Sequence, residues 1–209
     1  MAADWELVHA ERAALVELFG EIEGPQWEVA SLCESWTVHD VLAHLASALD
    51  VSTAASVKAF VAALGRPKVL IDNLTRAYAV RSSAELLAIY ARHTQSRFAP
   101  PGLGWKAPLT DVMVHRMDVA VPLGIDPARP PESWRPVLEF LTSGIPMLGS
   151  MRGGRPKVTW RATDLDWTRG SGPEVAGSAE DVGLTLAGRG PRIDALDGPG
   201  CDAVRRWLG

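Results

Sequence analysis

The sequence predicts an α+β protein, with an all-helical part over residues 1–150 and a smaller α+β part over residues 151–209. Two observations lead to this prediction. Apolar residues recur three and four positions apart through most of the first part, which is the spacing of one helix face. After Gly153-Gly154-Arg155-Pro156 the pattern changes to short strand-like runs separated by glycine-containing turns. We therefore predict a domain boundary near residue 151.

The composition is that of a globular protein of 209 residues, with 47% hydrophobic residues and a net charge of −4. This apolar fraction is enough to bury a sizeable core. Because Lys and Arg do not cluster, we expect neither a nucleic-acid partner nor a polybasic membrane contact. The N-terminus lacks the features of a signal peptide, and no apolar run reaches the roughly 18 residues of a membrane span. The sequence thus predicts a cytoplasmic protein without a membrane partner, either a monomer or a homodimer.

The first two helices are marked by apolar periodicity and by capping residues. The first runs from Asp4 to about Ile22 and stops at Gly24-Pro25. Thr37 and Asp40 have the spacing of a capping box, in which two side chains satisfy unpaired amides at a helix start. The second helix should therefore begin at Thr37.

The middle of the helical part is less uniform. The second helix can extend to Leu64, where Gly65-Arg66-Pro67 supplies a stop. Residues 68–80 have apolar positions at mixed spacing, so the pattern does not distinguish their structure. Ser82 and Glu85 form another predicted capping box and begin a helix.

The last helices of this part are bounded by proline and glycine. The helix that starts at Ser82 should end at residues 100–102, which read Pro-Pro-Gly. The next helix includes Asp111–Asp118 and should end at Pro122 and Gly124. A final helix, from about Ser133 to Leu148, completes the helical part.

The C-terminal part predicts strands and short helices. Residues 158–162 and 165–168 have strand character, and turn-forming residues 169–173 precede a further apolar run at 174–177. Ser178 can cap a helix from Ala179 to Ala187. Glycine and proline at 188–191 should end that helix, and residues 201–208 should form the closing helix.

The run Asp111–Asp118 repeats an acid, a histidine and an acid at spacings of four and three. Residues four apart lie on one helix face, so Asp111 and His115 can reach one ion together. His44 is the best third ligand, because the apolar stripe around it places its imidazole on or beside the buried face. His39, five positions earlier, points about 140° away and is the poorer candidate. Two histidines and one carboxylate leave an open position on a metal such as zinc.

Each candidate also has an ordinary structural explanation. A histidine on an apolar face, such as His44, is often a hydrogen-bonded core residue. Asp118 can accept a hydrogen bond from a ligand imidazole, or it can pair with Arg116 or Arg135. Arg189 follows a helix-breaking glycine and is either a solvated loop charge or an anion contact.

Three passages resemble the mycothiol-dependent maleylpyruvate isomerase family, which belongs to the DinB/YfiT-like group of metal-binding four-helix bundles. They are residues 33–45, residues 111–124 and residues 175–189, and the string Trp-Thr-Val-x-Asp-Val-x-x-His-Leu at 36–45 is the most specific. The resemblance implies an N-terminal DinB-like four-helix bundle and a small C-terminal α+β domain that helps to close the active site. It also implies a divalent metal, usually zinc, held by His44, Asp111 and His115. One departure is that the family usually has Glu at the position of Asp111.

The resemblance further implies a metal-dependent enzyme that uses a low-molecular-weight thiol, mycothiol, as cofactor or co-substrate. The metal-bound thiol loses its proton and becomes the nucleophile. On an electrophilic small molecule this predicts either maleylpyruvate-type cis–trans isomerisation or thiol S-transfer. Asp118 and Arg189 are the further catalytic candidates. The alternatives are a non-catalytic small-molecule binding protein on the same fold and a metal-dependent hydrolase that activates water.

Overall fold

The computed structural model describes residues 2–51, 66–100, 102–126, 129–143 and 153–209. The chain forms two compact units, Met1–Pro127 and Ala128–Gly209. The described part of the first is helical, and that of the second combines helices with a three-stranded sheet. The predicted α+β class is therefore confirmed.

The first unit is built around a four-helix bundle. Helices α1, α2, α4 and α5 pack in a closed ring, since α1 and α2 each contact both α4 and α5. Helix α3 packs against α2. Apolar side chains from all five helices fill the core of the bundle, and α3 contributes Tyr78 from its last turn. The bounds are α1 Ala2–Gly20, α2 Val38–Asp50, α3 Pro67–Tyr78, α4 Ser83–Arg92 and α5 Lys106–Leu123, with a 3₁₀ turn at Gly24–Glu28.

Both predicted capping boxes are present. The Thr37 hydroxyl accepts a hydrogen bond from the Asp40 amide at 3.2 Å, and the Asp40 carboxylate accepts one from the Thr37 amide at 2.9 Å. Ser82 and Glu85 make the same reciprocal pair at the start of α4. Helices α2 and α4 therefore begin where the sequence predicts, because the signal is local.

The ends of these helices differ from the prediction. Helix α2 ends at Asp50, because Val51 is extended, so it does not run unbroken towards Leu64. The segment to which we extended it, residues 52–65, lies outside the described residues. Pro67 begins α3 instead of ending a helix, since the first helical position needs no amide hydrogen.

Helix α4 ends at Arg92, several residues before the predicted stop at 100–102. The Thr94 hydroxyl donates a hydrogen bond to the Ala91 carbonyl, and the Ser96 amide donates one to the His93 carbonyl. Such local bonds compete with the helical ladder. The proline and glycine stop signal was therefore not the one that ended the helix.

The second unit contains a small sheet with strand order β2-β1-β3, in which β1 is antiparallel to β2 and parallel to β3. The second strand lies later than predicted, because the Trp167 amide bonds to the Leu165 carbonyl in a tight turn. The elements are α6 Pro131–Leu141, β1 Thr159–Ala162, β2 Thr168–Gly170, β3 Glu174–Gly177, α7 Ala179–Leu186, a 3₁₀ helix Gly190–Ala195 and α8 Cys201–Leu208.

Helix α6 packs in the second unit, against α7. A Cβ atom at Gly183 would lie 2.8 Å from the Trp134 ring, so glycine is needed for this close approach. The sequence had grouped this helix with the first part, since periodicity does not reveal the partner of a helix. Its predicted end at Leu148 and the boundary near 151 lie outside the described residues, and the division into domains 1–150 and 151–209 stays a prediction.

Within the described residues, no helix combines the length and the apolar character that crossing a bilayer requires.

Candidate metal centre

The packing of α2 against α5 brings together His44, Asp111 and His115, which we call the His–Asp triad. The Nε2 atoms of His44 and His115 each lie 3.4 Å from Oδ1 of Asp111. One donor atom from each residue lies within 4.8 Å of the other two. Both histidines are buried, whereas the Asp111 side chain keeps 39% exposure. Solvent therefore reaches the triad at the Asp111 carboxylate, whereas the two imidazoles are buried.

The triad has the dimensions of a metal site. A tetrahedral zinc ion with bonds of about 2.0–2.2 Å has neighbouring ligand atoms about 3.3 Å apart. The 3.4 Å separations from Asp111 to each imidazole match this spacing. Three such ligands leave one tetrahedral position for water or substrate. The donor set and the spacing thus fit a divalent metal, and the assignment of these residues as ligands stays a prediction.

Asp118 contacts the triad through Nδ1 of His115, the ring nitrogen that does not face Asp111. The Nδ1–H of His115 donates a hydrogen bond of 2.8 Å to Oδ2 of Asp118, whose side chain is fully buried. This contact fixes the orientation of the ring and turns Nε2 towards Asp111. Of the alternatives left open by the sequence, the structure shows the hydrogen bond to a triad imidazole, whereas Arg135 bonds to Glu132 at 3.0 Å.

The charges of the triad depend on one another. Burial by itself would raise the pKa of Asp111, but hydrogen bonds from His115 and His44 outweigh it and lower that pKa below its usual range. Burial alone would lower the pKa of His115, but hydrogen bonds to Asp111 and Asp118 raise it to about 9. His115 is thus protonated at neutral pH without a metal, and ligation through its Nε2 requires loss of a proton.

A proline in α5 leaves one backbone carbonyl of this helix available to the loop before α2. Pro122 has no amide hydrogen, so the carbonyl of Asp118, four residues earlier, lacks its usual helical partner. The Leu32 amide donates to that carbonyl at 3.1 Å. The sequence predicted that Pro122 would help to end the helix, but α5 continues to Leu123 and is capped by Gly124 at a φ of 66°. The proline instead creates an attachment point for the loop.

That loop places Trp36 against the triad. Its ring centroid lies 5.0 Å from that of His44 and 6.1 Å from that of His115. The turn is closed by a hydrogen bond from the Trp36 amide to the Cys33 carbonyl, with Ser35 at a φ of 67°. Sequence reasoning predicted no role for Trp36 in the site, although its position next to the α2 capping box was the available signal.

Arg12 is a second residue that sequence reasoning missed. It lies on α1 with only 2% exposure, and its Nη1 donates to the Ser96 carbonyl. Burial lowers the pKa of Arg12, while electrostatic interactions with Tyr90 and Asp111 act in the opposite direction. The available signal was a charged residue on the apolar stripe of a helix, four positions after Val8. Arg12 therefore contributes a positive charge to the surroundings of Asp111.

Two other candidates, His39 and Arg189, each have hydrogen bonds within their own unit. The His39 ring bonds to the Ser83 hydroxyl at 2.9 Å and to the Ala79 carbonyl at 3.1 Å, in agreement with its ranking as the poorer ligand. Arg189 lies in the second unit, where its Nη1 donates to the Ala187 carbonyl at 2.8 Å. Its assignment as an anion contact stays a prediction.

The fold and the triad define a class: a four-helix bundle with a His/His/Asp cluster, spaced for a metal ion, on two neighbouring helices. Residues 8–120 match the family model of the mycothiol maleylpyruvate isomerase N-terminal domain. This match spans more than half of the sequence, and the chain belongs to that family.

The fold also resembles solved structures from the same family. A crystal structure of the mycothiol-dependent maleylpyruvate isomerase superposes with a TM-score of 0.62 at 15% identity, over 95% of this chain and 92% of that one. A crystal structure of a histidine-to-alanine mutant of that isomerase gives a TM-score of 0.54, with the same identity and coverage. At this identity the likeness establishes the fold. Comparison with curated protein sequences gave no match.

Proposed function

We propose that this protein is a metal-dependent enzyme that uses mycothiol, as a maleylpyruvate-type cis–trans isomerase or a thiol S-transferase. The observation that carries the proposal is the convergence of His44, Asp111 and His115 on two helices of a bundle from this family. All three lie within the matched residues 8–120.

The residues of the chain have distinct parts in this proposal. His44, Asp111 and His115 hold a divalent metal, with zinc expected from the ligand types. Such an ion, when bound, stabilises a coordinated thiol in its thiolate form. Asp118 positions His115 through the Nδ1–H bond and keeps Nε2 directed at the metal.

The substrate in this proposal is a small electrophile with an activated double bond. A thiolate that adds to such a bond places the π electrons on the neighbouring carbon. If these electrons expel the thiolate after rotation, the bond is isomerised, whereas uptake of a proton at that carbon gives a thioether. Isomerisation and transfer therefore differ in whether the thiol is consumed. Arg189 is proposed to contact an anionic group of the substrate, and a cytoplasmic location belongs to the same proposal.

The first experiment is metal analysis of untagged wild-type protein beside His44→Ala and His115→Ala. His93→Ala is the matched control, because His93 also pairs with a carboxylate in the same unit, at 3.3 Å. We expect about one zinc or similar ion per chain in the wild type and the control, and its loss in the two triad variants. Equal metal content in all four proteins, or none after incubation with zinc, would overturn the ligand assignment.

The second experiment tests the thiol. Zinc-loaded wild type should bind mycothiol and turn over a maleylpyruvate-type substrate or conjugate an electrophile, and His44→Ala should do neither. Recovery of unchanged mycothiol at the end of the reaction identifies an isomerase, and its consumption identifies a transferase. Equal mycothiol binding by zinc-free protein, or turnover without any thiol, would contradict the proposal.

A further inference from the structure

A cleft of about 220 Å³ opens in the first unit beside the triad. Residues 34–36 and Asp40 form one side, and we call it the Trp36 cleft because Trp36 belongs both to its wall and to the surroundings of the triad imidazoles. Trp36 is thus the residue that the cleft shares with the surroundings of the His–Asp triad. The side chains that α3 contributes to it are Lys68, Asp72, Thr75 and Arg76.

The charges of the cleft are mixed. Lys68 pairs with Asp72 across 3.8 Å, and the Asp40 carboxylate accepts hydrogen bonds from Thr37 in the capping box. In the part of the chain that the structure describes, neither Glu34 nor Arg76 has an ion-pair partner. A ligand therefore meets one available carboxylate and one available guanidinium of opposite sign.

Thr75 adds an unsatisfied hydroxyl. Its side chain is 1% exposed, and its Oγ1 has no hydrogen-bond partner among the described residues. A buried hydroxyl without a hydrogen-bond partner destabilises the protein. A ligand group that hydrogen-bonds to it removes this cost, which favours binding. Thr75 also lines the cleft, where such a ligand group would bind.

The chemistry of this lining selects a class of ligand. Three acidic and two basic side chains give the cleft a net negative lining, which disfavours a dicarboxylate. Hydroxyl groups both donate and accept, so a neutral polyol can bond to Glu34, Arg76 and Thr75 together. The indole of Trp36 offers an apolar surface to the C–H groups of such a ligand, as aromatic side chains do in small-molecule sites.

We propose that the Trp36 cleft binds the polyhydroxylated, sugar-like part of the thiol cofactor, so that the thiol is directed towards the His–Asp triad. This inference rests on the proposed function, because that function supplies the thiol. The cleft then acts as the specificity site for the cofactor, and the triad acts on its sulfur.

The test uses three probes: mycothiol, N-acetylcysteine as a thiol without a polyol, and myo-inositol as a polyol without a thiol. The variants are Thr75→Val and Arg76→Gln. Arg97→Gln is the control, because Arg97 is an exposed arginine of the same unit that does not line the cleft. Affinities of the zinc-loaded proteins are measured by calorimetry, and myo-inositol contact by saturation-transfer NMR.

We expect each cleft variant to bind mycothiol about tenfold more weakly, the effect of one lost hydrogen bond. Zinc content and N-acetylcysteine affinity should equal those of wild type and of Arg97→Gln. Unchanged mycothiol affinity in both cleft variants, or the same loss for N-acetylcysteine, would overturn the inference.

Failure of the proposed function has a different signature. If no thiol binds in a zinc-dependent way, myo-inositol still tests the cleft on zinc-free protein. NMR contact in wild type that disappears in Arg76→Gln supports a polyol site independent of thiol chemistry. Absence of myo-inositol contact in wild type removes the polyol assignment.

Discussion

Two histidine–carboxylate clusters of the first unit use the same residue types at similar distances. In the His–Asp triad each imidazole Nε2 lies 3.4 Å from Asp111, and in the second cluster His93 lies 3.3 Å from Asp50. Their surroundings differ, because the His115 side chain is 9% exposed and that of His93 is 33% exposed. A His–carboxylate pair therefore does not by itself make a site.

The difference lies in what completes each cluster. Asp111 is approached by two imidazoles, and Asp118 fixes one of them from behind. Asp50 is approached by one imidazole and by the Tyr78 hydroxyl, which donates to it at 2.8 Å. The first arrangement brings three donor atoms close together, as metal binding requires, whereas the second is a hydrogen-bonded cluster of one carboxylate, one imidazole and one hydroxyl.

The largest expected effect is on metal binding when the shared carboxylate is removed. Asp111→Ala should reduce the zinc content to that of a metal-free blank, because the two imidazoles lose their common partner and the ion loses a ligand. Asp50→Ala removes the matching carboxylate of the exposed cluster and should retain wild-type zinc. Elemental analysis measures the zinc content of both variants. Zinc loss in Asp50→Ala would contradict the assignment of metal binding to the triad alone.

The second prediction concerns pH. Because the pKa of His115 is raised to about 9, zinc displaces one proton at neutral pH, and its affinity should rise about tenfold per pH unit until pH approaches 9. In the metal-free protein, the free energy of unfolding changes with pH in the opposite direction to the zinc affinity. Charged His115 stabilises the fold fully below its unfolded pKa of 6.5, and this stabilisation is lost as pH rises through about 9.

Calorimetry in buffers of different ionisation enthalpy measures the released proton, and urea unfolding at several pH values measures the metal-free stability. Asp118→Ala should reduce both dependences, because it removes one of the two carboxylates that raise the pKa of His115. A zinc affinity that is constant between pH 6.5 and 8.5 would contradict the charge state that we assign to His115.

A smaller effect is expected at the residue behind the triad. Asp118→Asn keeps the shape of the side chain but removes its charge, and zinc affinity should fall about 10–100-fold, the usual cost of losing such a partner. Glu132→Gln changes an exposed carboxylate of the second unit and serves as the control. Competition with a fluorescent chelator gives the affinities, and equal values for Asp118→Asn and wild type would reduce Asp118 to a packing role.

The smallest effect is expected in the exposed cluster. Tyr78→Phe removes the hydrogen bond to Asp50 and should lower the free energy of unfolding by about 1 kcal/mol at neutral pH, with unchanged zinc content. That bond is the main reason for the lowered pKa of Asp50, so its contribution is present above the unfolded value of 3.8 and is lost as pH falls further. Urea unfolding at pH 7 and pH 3 measures the change, and an equal difference at both values would exclude the carboxylate as its source.

Much of the first unit could be predicted because its signals are local. The capping boxes at Thr37 and Ser82 act within one helical turn, and Gly124 ends α5 in the left-handed conformation that glycine adopts readily. The spacing of Asp111 and His115 likewise places them together whenever the segment is helical. These features depend on neighbouring residues and not on the rest of the fold.

Other features could not be read in this way. The end of α4 and the position of β2 depended on local bonds, and the end of α2 on the extended conformation of Val51, none of which the proline and glycine pattern revealed. The grouping of α6 with the second unit depended on the fit of Trp134 against Gly183. Local hydrogen bonds therefore decided the first cases, and packing decided the last one.

The sequence by itself determined the helices of the site, the pairing of Asp111 with His115 and the choice of His44 as their partner. Only the tertiary structure decided that Trp36 lies against both imidazoles, that Leu32 binds the carbonyl left open by Pro122, and that a polar cleft adjoins them. The physical reason is the distance along the chain over which each interaction acts. Helix signals act over three or four residues, whereas these contacts join residues beyond that range. Most of them lie in segments far apart in the chain, whose meeting depends on how whole helices pack.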